Sequence, residues 1–314
     1  MAAYRFELEK GGLKCACPAC VKVRFVPYVD TVTGEQVDSV VGRCDREDSC
    51  GYHLTPKEYF LMTGKNPFSI VAIPTRKREP APEPEPSFID ASLMQASLRN
   101  YEQNNFCRWL HGVFGGQKAF ELTAAYQIGT SKYRFRCKDF PGYQSEPSSS
   151  VFWQIDRSGR IRAGKIMLYN STTGRRVKEP VNHIQWVHKV MKMEPYHLEQ
   201  CLFGEHLLSV DKVKPVAIVE SEKTAIVAAG FMPEFLWLAT AGKNNLNREK
   251  LKAVQGRRVV FFPDLMAFEK WRDIVKWMPD VSVSDILERR ATEADRAAGL
   301  DLADYLLREK GFER

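Results

Sequence analysis

The sequence lacks a long apolar run: no stretch of its 314 residues could span a bilayer, which excludes an ordinary helical membrane protein. The polar, charged start MAAYRFELEKGG is not that of a secretory signal peptide, so we expect a cytoplasmic protein. The GxxxxGK[ST] motif is also missing, and its absence argues against a fused P-loop motor such as a helicase.

Cysteines are scarce after residue 50 and are not spaced as a disulfide framework. Five of the eight lie in the first fifty residues, a clustering that favours a reducing compartment and a metal site. The isolated Cys107, Cys137 and Cys201 are predicted to be small, buried, apolar residues. The formal net charge of +7 favours an anionic partner, although many basic proteins bind no nucleic acid.

The first 62 residues have the pattern of a zinc ribbon. A CxxC pair is followed by a predicted hairpin and then by a second, more widely spaced pair of cysteines. Four thiolates on Zn²⁺ would stabilise a segment too small to form its own core. Cys15 and His53 lie close enough in sequence to compete as ligands. The four predicted zinc ligands are Cys17, Cys20, Cys44 and Cys50.

The stretch 214–271 contains three apolar runs, VAIVE, FLWLAT and RRVVFFPD, separated by segments of helical character. Runs of this kind suit strands that are buried on both faces of a parallel sheet. Because ligands bind at the carboxyl ends of such strands, Glu220 and Asp264 are expected to meet there. A fourth strand, VSVSD, adds Asp285, and three carboxylates can bind Mg²⁺. The alternative is that these acids are helix caps or solvated loop residues.

Two residues are predicted to bound the helix between the first two of these strands. Ser221 can cap its start with its hydroxyl group. Gly230 can end it in the left-handed conformation that glycine adopts without a steric penalty.

The motifs IVESEKTA, TAGKNNL and VVFFPDLMAFEKW resemble the Toprim domain of primases, topoisomerases and some nucleases. The form is closest to the primase-like Toprim proteins carried by bacterial conjugative and mobilisable elements. This resemblance implies that Glu220 and Asp264 serve Mg²⁺ or Mn²⁺. Met266 stands where the second Asp of the usual Asp-x-Asp is expected, so a full two-metal site is hard to assemble.

The C-terminal motif DLADYLL resembles the ending of many primase-type Toprim domains, in which such an acid lies near the site. It contains Asp301 and Asp304. From the residues alone, Asp301 is predicted to be the N-cap of the last helix.

Residues 88–210 are predicted to begin with helices and to continue as strands, with turns at 158–159 and 173–174. The motif FWQIDRSGRIRAGK resembles the small mixed domain that precedes Toprim in bacterial primases. That resemblance implies that Lys165 contacts the substrate phosphate or the template, whereas the alternative is an exposed strand position. Basic strands can bind nucleotides or a nucleic-acid backbone. The predicted nucleic-acid-binding residues are Arg160, Arg162, Lys165, Arg175 and Arg176.

The predicted fold class is α/β, with a four-stranded parallel sheet flanked by helices in the last domain. The alternation of proline and glutamate after residue 75 predicts an extended linker. The predicted order is a zinc ribbon with a short helix at 1–62, a linker at 75–87, a mixed basic subdomain at 88–210 and a Toprim domain at 211–314.

Two functions of different class fit these patterns. The first is a primase-like nucleotidyltransferase that acts on single-stranded DNA in the replication or transfer of a mobile element, with a separate helicase as partner. The second is an accessory protein that binds nucleic acid without turnover, and a Toprim nuclease is a third alternative. The residues assigned to the first function are Glu220, Asp264 and Asp285 for Mg²⁺, with Lys165 and Lys223 for the phosphate.

Overall fold

The computed structural model describes residues 5–9, 14–46, 50–65, 84–242 and 244–312. The chain divides into two compact units, Met1–Glu83 and Pro84–Arg314. Most of the predicted linker, up to residue 83, lies outside the described residues, and its last part, 84–87, forms no helix or strand. No helix in the described ranges is both long and apolar enough to cross a bilayer.

The first unit is an antiparallel ribbon built around one long strand. The central strand β3 pairs with β1, β2 and β4, and β5 adds to β4. Helix α1 begins at a capping box, since Thr55 accepts from the Glu58 N–H and Glu58 accepts from the Thr55 N–H. The elements are β1 Phe6–Leu8, β2 Cys15–Ala16, β3 Val23–Asp30, β4 Gly42–Cys44, β5 His53–Leu54 and α1 Pro56–Thr63.

The second unit opens with helices and an antiparallel sheet of order β6-β7-β8-β9. The hairpin between β7 and β8 closes at Gly159, whose φ of +80° explains the glycine at this turn. The predicted hairpin is therefore confirmed. The elements are α2 Ala91–Ser97, α3 Asn105–Phe114, α4 Gly116–Ala125, β6 Gly129–Ser131, β7 Ser149–Ile155, β8 Ile161–Met167, β9 Ile184–Trp186, α5 Val187–Val190 and α6 Leu207–Val210.

A parallel sheet follows, with the order β11-β10-β12-β13 and every pair parallel. This confirms the predicted four-stranded parallel sheet. Three helices lie between its strands and three follow it. The elements are β10 Val216–Val219, α7 Glu222–Phe231, β11 Leu236–Ala239, α8 Arg248–Leu251, β12 Val259–Phe261, α9 Phe268–Val275, β13 Val281–Val283, α10 Ile286–Arg290, α11 Glu293–Ala298 and α12 Leu302–Glu309.

Alternate residues of the central strands enter different hydrophobic clusters, which explains why their apolar runs are unbroken. Val216 and Ile218 pack in one cluster, with α9. Ala217 and Val219 pack in the other, together with α3, α7, α12 and Phe152 of the antiparallel sheet. Both faces of the parallel sheet are therefore covered, and one of the two cores is shared with the antiparallel sheet.

The end of α7 differs from the prediction. Ser221 does cap the start, because its hydroxyl oxygen accepts from the Thr224 N–H at 3.1 Å. Gly230, however, lies inside the helix and is not in the left-handed conformation. A Cβ added at Gly230 would lie 2.4 Å from the Phe114 ring. The prediction for Gly230 was wrong because close packing, and not the φ angle, requires the glycine here.

We expect Gly230→Ala to lower the free energy of unfolding by about 1–3 kcal/mol, because the added methyl group overpacks against Phe114. Gly112 in α3 is the matched control, since a Cβ there would meet nothing within 4 Å. Gly112→Ala should raise the free energy of unfolding by up to about 1 kcal/mol through helix propensity. Denaturant unfolding of both variants checks this, and equal shifts in the same direction would contradict the packing argument.

Candidate functional site

Four thiols of the ribbon come together in a compact group. Their Sγ atoms all lie within 4.8 Å of one another, and no other group of three or more potential ligand side chains in the described ranges is so close. Tetrahedral coordination at a Zn–S distance of about 2.3 Å separates sulfurs by about 3.8 Å. Two of the sulfur pairs are 3.7 and 3.9 Å apart, so the donor set fits zinc. The group consists of Cys17, Cys20, Cys44 and Cys50.

The two competing ligand candidates lie outside this group. Cys15 is exposed in β2, and the His53 Nε2 is 3.0 Å from the Tyr28 hydroxyl oxygen. The Lys22 backbone N–H lowers the pKa of the Cys20 thiol to about 6, so one thiolate is available near neutral pH.

Four half-buried carboxylates form the acid cluster of the second unit: Glu220, Asp264, Asp301 and Asp304. Glu220 directly follows β10 and Asp264 follows β12, so both lie at the carboxyl end of the parallel sheet. The charge of Glu220 acts directly on Asp264. Burial and the charges of the other three acids raise the pKa of Asp264 well above its ordinary value. Asp264 therefore lies among like charges.

Asp301 joins the acid cluster through helix packing. It caps α12, as predicted, by accepting from the Asp304 N–H at 3.0 Å. Its other carboxylate oxygen accepts from the Thr224 hydroxyl of α7 at 2.8 Å. Burial and Asp304 raise the pKa of Asp301, and Lys223 opposes this shift. One residue is thus both a helix cap and a member of the cluster.

Asp285 and Met266 both lie at the protein surface. The Asp285 carboxylate accepts from the Arg289 Nε at 3.0 Å, in an exposed pair one turn along α10. Met266 has a φ of +67° and is 82% exposed, while its N–H donates to the Glu288 carboxylate. A residue at position 266 therefore directs its side chain toward solvent.

Lys165 is buried, so the alternative of an exposed strand position is wrong. Its Nζ donates to both carboxylate oxygens of Glu222, at 3.1 and 3.3 Å, and to the Ala241 carbonyl at 3.1 Å. Lys165 is on the antiparallel sheet, whereas Glu222 begins α7 and Ala241 follows β11. The lysine therefore connects the two sheets beside the acid cluster.

Lys223, the second predicted lysine, acts on the acid cluster through its charge. The Nζ of Lys223 lies 4.8 Å from the centre of the Trp109 ring, and its charge acts on Asp301. Trp109 also contacts the turn after β8, because a Cβ at Gly174 would lie 2.1 Å from its Cε2. That turn carries Arg175, which is exposed, and Arg176, which is half-buried.

The remaining predicted basic residues, Arg160 and Arg162, share one acceptor. Their Nε atoms donate to the same oxygen of Asp156, at 3.0 and 2.8 Å. The Arg160 side chain is half exposed, whereas that of Arg162 is largely buried and also pairs with Glu199. Arg160 therefore keeps the larger surface for an external phosphate.

Lys250 was not predicted as a site residue. It is 6% exposed, and its Nζ donates to the Thr240 carbonyl at 3.1 Å and to the Gln200 Oε1 at 3.4 Å. Burial lowers the pKa of Lys250 to about 8. Local sequence does not indicate this burial, because a lysine in NREKLKAV has the spacing of a solvated helix position.

Three solved structures of primases are similar to this chain. The E. coli primase catalytic core is 12% identical, with a TM-score of 0.43, over 69% of this chain and 81% of that one. The RNA polymerase domain of the Mycobacterium tuberculosis primase, in complex with a double-stranded DNA oligomer with an overhang, is 10% identical, with a TM-score of 0.43, over 71% and 75%.

The zinc-binding and RNA polymerase domains of the Aquifex aeolicus primase are 11% identical, with a TM-score of 0.36, over 70% of this chain and 66% of that one. No curated protein matches the chain.

Two family models match the sequence. A zinc beta-ribbon finger matches residues 4–65, which include all four clustered cysteines. A domain of unknown function matches residues 104–265, more than half of the chain, including Glu220 and Asp264. The chain therefore belongs to the family of this domain of unknown function, DUF6371.

Proposed function

We propose that the protein is a primase-like nucleotidyltransferase that acts on single-stranded DNA. The observation that carries this proposal is the acid cluster at the carboxyl end of the parallel sheet, where α/β proteins bind their ligands. The resemblance of its motifs to Toprim domains and the zinc ribbon in the same chain support it.

Mg²⁺ or Mn²⁺ fits the chemistry of the acid cluster. Mg²⁺ usually binds proteins through one or two carboxylates and completes its coordination with water and substrate phosphates. Glu220 and Asp264, which follow neighbouring strands and repel each other by like charge, would hold it. When bound, the cation would neutralise charge on the transferring phosphate. Asp301 and Asp304 supply the acidic groups that Met266 cannot, since residue 266 faces solvent.

The two lysines have different proposed roles. Lys223, whose charge acts on Asp301, would bind a phosphate oxygen at the edge of the acid cluster. Lys165 is committed to Glu222 and would act as a positioning residue that fixes the start of α7. The alternative is that Lys165 contacts a phosphate, and variants of Lys165 distinguish the two roles.

A single-stranded template would contact the basic residues of the antiparallel sheet and its turns, with the zinc ribbon as an additional contact. The proposed setting is the cytoplasmic replication or transfer of a mobile element with a separate helicase. The proposed template contacts are Arg160, Arg162, Arg175 and Arg176.

The second candidate function is a nucleic-acid-binding accessory protein without turnover. Two observations favour it: the lysine expected at the phosphate is bound to Glu222, and the described carboxylates are less tightly grouped than the four thiols. A nuclease would use the same acids to activate water. Analysis of the products therefore distinguishes synthesis, cleavage and binding without turnover.

Primer synthesis on single-stranded DNA with labelled nucleotides, in Mg²⁺ or Mn²⁺, tests the proposal. We expect Glu220→Gln and Asp264→Asn each to lower the rate at least about 100-fold, because a lost metal ligand removes several kcal/mol of charge stabilisation. Asp285→Asn tests the third acid that the sequence assigns to Mg²⁺. Because its carboxylate pairs with Arg289, we expect this variant to retain activity and to serve as the matched control.

The same assay includes Met266→Asp, which should not raise the rate, because the side chain at position 266 is exposed. If neither metal supports product formation while all variants keep salt-sensitive DNA binding, the nucleotidyltransferase proposal is overturned. The accessory-protein function would then remain. Metal-dependent cleavage of the template would instead identify a nuclease.

A further inference from the structure

A cavity of about 680 Å³ in the second unit is lined by none of the four residues of the acid cluster. We name it the Lys250 cavity, after the buried lysine that lines it. Its walls come from the turn after β7, the segment before α6 and the loop that leads into α8. Arg157, Gln200 and Asn245 contribute to these walls. Its volume is sufficient for a nucleotide.

The carboxylates that line this cavity are already bound by other groups. Asp156 and Glu199 both pair with Arg162. Glu249 pairs with Lys252, and Glu205 accepts the backbone N–H groups of its neighbours Leu202 and Arg157. These acids therefore have their countercharges or hydrogen-bond donors in place.

Two cations of the cavity have no carboxylate partner among the described residues. Lys250 donates only to neutral oxygens, which leaves one of the three ammonium protons for another acceptor. The Arg157 guanidinium donates to the Ala253 carbonyl and is otherwise exposed. A buried ammonium group whose hydrogen-bond acceptors are all neutral is costly, and an anion in the cavity would lower that cost.

We propose that the Lys250 cavity binds a phosphate group of a nucleotide or of single-stranded DNA, held by Lys250 and Arg157. Phosphate suits this pair better than a carboxylate because its several charged oxygens can accept from both cations at once. Burial outweighs the charges of Glu222 and Glu205 and lowers the pKa of Lys250, so an anion that enters the cavity would stabilise the charged ammonium group. None of the residues that line the cavity belongs to the acid cluster.

Titration calorimetry on the zinc-loaded full chain, in buffer without added divalent cations, tests this proposal with two probes. One probe is a nucleoside triphosphate and the other is a single-stranded oligonucleotide. We expect Lys250→Met and Arg157→Ala each to weaken the binding of at least one probe about tenfold or more, since each variant removes a charge-assisted hydrogen bond. The affected probe identifies the source of the phosphate.

Lys252→Met is the matched control, because this lysine lines the same cavity but pairs with Glu249 and is 61% exposed. It should leave both affinities within about twofold, as expected for a surface ion pair. Arg157 is exposed, so Arg157→Ala tests the site even if Lys250→Met does not fold. Unchanged binding of both probes in Arg157→Ala, or equal losses in Lys252→Met, would overturn the proposal. Since the assay needs no turnover, its result does not depend on whether the acid cluster catalyses.

Discussion

Removal of zinc is expected to unfold the N-terminal ribbon and to leave the secondary structure of the second unit in place. The apolar core of the ribbon unit is small, and its buried hydrophobic residues in the described ranges are Cys17, Phe25, Val41, Cys44 and Tyr59. Structural zinc contributes an apparent binding free energy of about 10–16 kcal/mol in small zinc-binding peptides. So small a core cannot replace such a contribution. Chelation followed by circular dichroism and limited proteolysis would detect loss of the ribbon alone.

Two cysteine variants test which thiols bind the zinc. Cys44→Ser should abolish stoichiometric zinc, measured by metal analysis, because it removes one of the four clustered thiols. Cys15→Ser, which changes an exposed thiol outside the cluster, should retain the metal. Equal metal loss in both variants would show that the ligand set is not the one formed by the four clustered thiols.

Lys165→Met is expected to lower the free energy of unfolding of the second unit by about 3–5 kcal/mol. The change leaves the Glu222 carboxylate buried without its cation, and removal of one partner of a buried pair has a cost of this size. The Ala241 carbonyl also loses its donor. Denaturant unfolding followed by tryptophan fluorescence measures the effect.

The double variant Lys165→Met/Glu222→Leu completes a thermodynamic cycle for this pair. It should be markedly more stable than Lys165→Met, because no unpaired charge remains buried. Lys252→Met, which removes an exposed pair, should change stability by less than about 1 kcal/mol. If Lys165→Met is no more destabilising than Lys252→Met but primer synthesis is lost, Lys165 contacts substrate and does not position α7.

The sequence predicts best those features that follow from local chemistry. Unbroken apolar runs require strands with both faces covered, and this requirement alone predicts the parallel sheet around β10. A CxxC pair near two further cysteines predicts a zinc ribbon, because thiolates at that spacing suit zinc. The Ser221 cap likewise depends on one hydroxyl and the next turn of helix.

Other features depend on contacts between distant parts of the chain, which local patterns do not contain. Asp301 reaches the acid cluster because α12 packs on α7, so that a residue recognisable as a cap gains a second role. Lys165 and Lys250 occupy positions that look solvated in sequence, yet packing of other segments buries them. Gly230 has the spacing of a helix end, and the Phe114 ring, distant in sequence, decides its actual role.

The hydrophobic core shared by the two sheets constrains how this protein can evolve by recombination. Phe152 and Met167 of the antiparallel sheet pack in the same cluster as Ala217 and Val219 of the parallel sheet. A gene fragment that encoded either sheet alone would expose half of that cluster, and its product would be prone to aggregation. Recombination between related genes should therefore transfer the coding sequences of both sheets together. The ribbon is a separate compact unit, so it can be gained or replaced independently.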